Sequence, residues 1–96
     1  MNRLADPNFW TDLNAAFIIF KYDHPDLEYT VIEQKEYGTI SIELADWKQY
    51  LFAHMDIRPS TVPKDHEVAL DFWKQVIFEL YSKIEKLQKD FGDLAK

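Results

Sequence analysis

Three histidines stand beside carboxylates: His24 with Asp23 and Asp26, His54 with Asp56, and His66 with Asp65 and Glu67. Imidazole and carboxylate together can hold a divalent cation or move protons, so these clusters are the first places where chemistry could occur. None shows the His-Glu-x-x-His spacing that sets two metal ligands on one helical face. Asp23, Asp26, Asp56 and Asp65 also stand where helices begin or end, and Asp is a favoured capping and turn residue. The capping reading is preferred, and no metal site and no cofactor are expected.

The remaining nucleophiles are equally unsupported. Ser41, Ser60 and Ser82 lack a Gly-x-Ser-x-Gly elbow. The absence of cysteine excludes a thiolate nucleophile, a disulfide framework and Cys-ligated zinc, and it is compatible with a reducing compartment. With Gly38 and Gly92 the only glycines, no phosphate-cradling loop can be built. Paired carboxylates for glycosidic chemistry need a cleft, which a domain this small seldom forms. The chain is therefore expected not to be an enzyme. The tripeptide His24-Pro25-Asp26 after a helix resembles the J-domain motif that engages a chaperone. That resemblance covers three residues. The preceding segment has Lys21 as its only base and β-patterned sequence comes after it, so no function is carried over.

Charge is more informative. The net charge is −6; residues 1–56 carry ten acidic against four basic side chains, and the remainder carries seven of each. Such a front half repels nucleic-acid phosphate and attracts a basic protein. The densest basic stretch, Lys83, Lys86 and Lys89, alternates with Glu85 and Asp90 as on a solvated helix face. No nucleic-acid partner is expected. An acidic and aromatic cluster, Tyr22, Asp23, Asp26, Glu28, Tyr29, Glu33, Glu36 and Tyr37, is opposed only by Lys21 and Lys35. Exposed Tyr supplies rigid contact area and acids steer encounter, so Asp23, Asp26, Glu28, Tyr29, Glu33, Glu36 and Tyr37 are the candidate partner-binding residues. The plainer alternative makes the tyrosines half-buried cross-strand pairs and the acids solvating groups on a strand edge.

The elements that must position these residues fit one domain over 1–96. Asp6-Pro7 suits a helix start, and Phe9, Leu13, Ala16, Phe17 and Phe20 recur at helical spacing until His24-Pro25 ends it near Tyr22. Leu27, Tyr29 and Val31, then Ile40, Ile42 and Leu44, alternate as two strands of a hairpin around Gly38. Asp46 with Gln49 predicts another helix start, with Trp47, Tyr50, Leu51 and Met55 as its buried face. Leu70, Trp73, Ile77, Leu80, Ile84, Leu87, Phe91 and Leu94 form a heptad seam on a helix of about 65–91. The expected class is α+β, mostly helical, ordered α-β-β-α-α, with a small antiparallel hairpin packed on helices and a long C-terminal helix.

At about 40 Å that helix outruns the first, so part of its seam is expected to overhang and to favour a homodimer or partner docking. The residues assigned to this seam contact are Leu80, Ile84, Leu87 and Phe91, and Ile84→Asp or Leu87→Asp is expected to break a complex while leaving a folded monomer. No signal peptide and no apolar run of membrane-spanning length is read, so a soluble, cytoplasmic protein is expected, without a membrane partner. Together these features point to a small acidic protein-binding module, of the stoichiometric inhibitor type seen in immunity proteins and antitoxins. The alternative is an accessory or assembly subunit that dimerises or docks through its C-terminal helix.

Overall fold

A computed structural model describes residues 3–94, with side chains described as far as Asp90. A short 3-10 turn at Arg3–Ala5 leads into helix α1, Pro7–Asp23. Asp6 caps α1, its Oδ1 accepting the Asn8 N–H at 2.9 Å, and Pro7 comes next, where its missing N–H costs nothing. Strands β1 (Leu27–Gln34), β2 (Thr39–Asp46) and β3 (Leu51–Ile57) form one antiparallel sheet in that order. A second 3-10 turn at Pro59–Thr61 precedes helix α2, His66–Leu94, which Asp65 caps through the Glu67 and Val68 N–H groups.

Period-two alternation decides the layering. Ile40, Ile42 and Leu44 of β2 point to one face and are fully buried, together with Leu27 on β1 and Ala53 and Ile57 on β3. Both helices cover this face, and no described element covers the other. Phe9 meets Trp73 and Phe20 meets Tyr81, so α1 and α2 advance side by side in the same direction. Trp73 is wholly enclosed, with Phe9 and Phe72 edge-on to its indole at 5.5 and 5.2 Å. Across the layers, Tyr29 stacks on Phe17 at 4.1 Å. The N-terminal turn is tied down by Arg3, which donates to the Val62 carbonyl at 2.7 Å and lies over the Phe9 ring.

The α+β class holds, but the order is α-β-β-β-α. The stretch expected as a third helix is a turn and β3. Leu51, Ala53, Met55 and Ile57 alternate with Phe52, His54 and Asp56, and this pattern competes with the helical spacing of Trp47, Tyr50, Leu51 and Met55 in too few residues for either to win locally. The sheet decides it, because β2 has a second edge whose backbone groups need partners. Asp46 does cap, but it caps a turn: Oδ1 accepts the N–H groups of Lys48 and Gln49 at 3.1 and 3.2 Å.

The heptad seam is real and mostly internal. Trp73, Ile77, Leu80 and Ile84 are buried against α1 and the sheet, and exposure begins at Leu87, which is 38% accessible. Leu80 and Ile84 therefore offer a partner nothing, and an Asp at Ile84 would unfold the domain rather than release a folded monomer. Phe91 and Leu94 lie outside the residues whose side chains are described. Urea denaturation of Ile84→Ala should show a loss of about 2–5 kcal/mol, whereas Leu87→Ala should cost less than about 1 kcal/mol.

Candidate functional site

The histidines are dispersed. His24 is half-buried, its ring against Phe20 at 4.6 Å and Tyr81 at 4.5 Å. His54 is exposed on the uncovered face of the sheet, in register with Glu43. The Nδ1 atom of His66 lies against Oδ1 of buried Asp12 on α1, an ion pair when the imidazole is protonated. That oxygen receives no hydrogen bond from another described donor. The partner of His66 is thus a distant residue of α1, not its neighbours Asp65 and Glu67. Its place at the start of α2 also gives the Asp12 carboxylate the positive end of a helix dipole. Among the described residues no group of three or more His, Asp or Glu could hold a metal ion.

The seven acidic and aromatic candidates do not form one patch. Asp23 closes α1, Asp26 and Glu28 flank the start of β1, and Glu33, Glu36 and Tyr37 lie at its far end; five residues of strand separate Glu28 from Glu33 by about 17 Å. Two of the acids are engaged at home, Glu28 by Lys21 at 3.0 Å and Asp26 by Lys48 at 3.4 Å. Tyr29 is half-buried on the core face, stacked on Phe17 of α1 rather than paired with another strand's side chain, while Tyr37 is exposed. Glu33, Glu36 and Tyr37 are exposed around the β1–β2 loop.

The structure brings together a different set. The uncovered sheet face carries Glu28, Thr30 and Ile32 on β1, Ser41, Glu43 and Ala45 on β2, and Phe52, His54 and Asp56 on β3, in cross-strand register. Glu43 and Asp56 form no ion pair among the described residues. At one end of this face Trp47 and Phe52 meet edge to face at 5.1 Å, and both stay exposed. Ala45, between Glu28 and Phe52 in the register, is shut off from solvent. The result is an apolar, aromatic end beside Glu43 and Asp56, with Arg58 next to Asp56 and with Lys83 and Lys86 of α2 along the margin at Phe52 and His54.

The β2–β3 loop, residues 47–50, positions the aromatic end, and it has a twin. Residues 35–38 join β1 to β2, and each loop spans four residues between paired ends, Gln34 with Thr39 and Asp46 with Leu51. Each loop also closes on a left-handed residue. In the first this is Gly38, at φ 63°, where glycine is the natural choice; in the second it is Tyr50, at φ 55°. A tyrosine in that conformation costs roughly 1–2 kcal/mol, and Tyr50 recovers little of it by burial, being 77% accessible. Asp46 ties the loop to α2: beyond the two loop N–H groups on Oδ1, its Oδ2 accepts from Gln88 Nε2 of α2 at 3.2 Å.

Compared with protein-family models, curated proteins and solved structures, the chain matches none. The sequence signal for this site lies in the stretch whose spacing suggests a helix, where Trp47 and Tyr50 fall on the expected buried face. The alternation of Phe52, His54 and Asp56 as the wet face of a strand is the signal that points to it instead. Tyr50→Gly is expected to raise stability by about 0.5–1 kcal/mol, the left-handed penalty removed less the extra freedom glycine gives the unfolded chain. The urea midpoint checks this; an unchanged or lowered midpoint would show that Tyr50 is not strained.

Proposed function

We propose that this protein is a protein-binding module that docks, through the uncovered face of its sheet and the Trp47–Phe52 turn, onto a basic protein surface. The mode of action is that of a stoichiometric inhibitor, one surface occluding another. The observation that carries it is Tyr50: a solvent-exposed aromatic held in a costly backbone conformation, beside two further exposed aromatics, on a loop fixed by Asp46. Backbone strain at an exposed site points to use rather than to folding. Trp and Tyr supply large rigid area and dominate binding hot spots, and a preorganised loop loses little freedom on docking. Glu43 and Asp56, which form no ion pair among the described residues, favour a cationic partner and speed its approach.

No helix among the described residues is long and apolar enough to cross a membrane. A cysteine-free chain suits the cytoplasm, where we place it. The reading of the C-terminal helix as a docking seam loses support, since most of that seam is used inside the domain.

The test is affinity capture of a basic protein from the native cell, then binding kinetics with the purified pair. Tyr50→Gly should bind at least about tenfold more weakly while being no less stable. Glu43→Lys with Asp56→Lys should slow association several-fold and flatten its dependence on salt. Association indifferent to salt and to all three substitutions would reject the reading.

A further inference from the structure

We infer that the free edge of β3 takes up an extended, acidic peptide segment of another protein as a fourth strand, seated in the groove between β3 and α2. The strand order leaves β3 with β2 on one side and no strand on the other. About half of its backbone N–H and C=O groups therefore point away from the sheet, a ready template for another strand. Among the described residues no backbone group outside the sheet reaches them. Protected edges carry proline, lysine or a bulge. β3 has neither residue, and its register with β2 runs unbroken from Leu51 to Ile57. The edge of β1 is different. It carries Glu28 and Glu33, and Lys21 of α1 reaches around it from the covered side to Glu28 on the uncovered side.

The groove decides what kind of strand fits. It measures about 430 Å³ and touches Ala53 on the covered side of β3 and Phe52 and His54 on the other, so it follows the strand's edge. Its far wall is α2. There Lys86, Leu87 and Asp90 follow Lys83 by three, four and seven residues and share one helical face, from which Glu85 and Lys89 are turned away. The helix thus sorts a mixed run of charges into a wall with two bases and one acid. Neither lysine forms an ion pair among the described residues. On a chain of net charge −6 this groove is locally cationic and selects carboxylates. Leu87 and Phe52, both exposed, supply apolar contact beside the charges. Asp56 lies outside the groove, near Arg58. A phosphate polymer would match the lysines but not the edge, whose alternating N–H and C=O groups only another backbone pairs in register. The inference does not rest on the docking proposed above, since the charge preference is opposite and these lysines take no part in it.

Selection from a phage-displayed library of random octapeptides, with the whole purified protein as bait, tests this without knowledge of the natural segment. Enriched sequences should carry Asp or Glu at two positions two residues apart, on one face of an added strand. The strongest of them is then made as a blocked synthetic peptide for isothermal titration calorimetry. Lys83→Glu with Lys86→Glu should weaken its binding at least about tenfold, with an unchanged circular dichroism spectrum. Methylating the peptide's amide nitrogens one at a time should alternate between a loss of about tenfold or more and little effect, because only every second N–H of an added strand faces β3. No enrichment, enrichment of basic peptides, binding indifferent to the lysine reversals, or a methylation series without a two-residue period would each overturn the inference.

Discussion

The fold turns on the one-sided burial of a three-stranded sheet. Ile40, Ile42 and Leu44 leave almost no accessible surface on one side of β2, and the residues between them face the opposite way. A two-residue period permits no compromise, since a slip of one position would move the whole apolar set into water. Once α1 and α2 lie on the apolar side, no described element is left to cover the other. The wet face of the sheet and the free edge of β3 stay open as a result, and each proposed contact uses one of them.

The same burial limits what the long helix can do. A seam at heptad spacing reads as an interhelical contact, but α2 spends it on two neighbours, α1 and the sheet. Trp73, Leu80 and Ile84 are as enclosed as any residue in the molecule. Heptad spacing records that one face of a helix is buried and does not record by what. This is why the seam was legible in the sequence and its occupant was not. Helix α1, the first hairpin and the last helix were likewise legible, because Asp6-Pro7, Gly38 and the long period each act locally.

The third strand was not legible, and the reason is physical. Asp46 satisfies N–H groups two and three residues ahead, which serves a helix start and an Asx turn equally well. Whether the chain then enters a helix or a strand is settled by β2 lacking a second neighbour, a fact written nowhere near residue 46. The ambiguity conceals the candidate site, since Trp47 and Tyr50 look like core on a helix and become surface on a turn. Likewise the Asp12–His66 contact joins residues far apart in the chain, while the histidine's neighbours in sequence suggest a different partner. The two hairpin loops make the site's case from within one molecule. Both loops have the same length and a left-handed closing residue, a conformation that favours glycine; one loop has it while the other carries an exposed tyrosine.

The three tryptophans report on three regions: Trp47 on the β2–β3 turn, Trp73 in the core, and Trp10 near the N-terminus, donating to the Leu4 carbonyl. Their indole N–H resonances in an ¹⁵N-labelled sample, monitored as the basic partner is added to saturation, test the docking surface most directly. The Trp47 signal should move and those of Trp73 and Trp10 should stay. A saturated complex in which Trp47 is unmoved while Trp10 shifts would place the contact elsewhere and contradict the account.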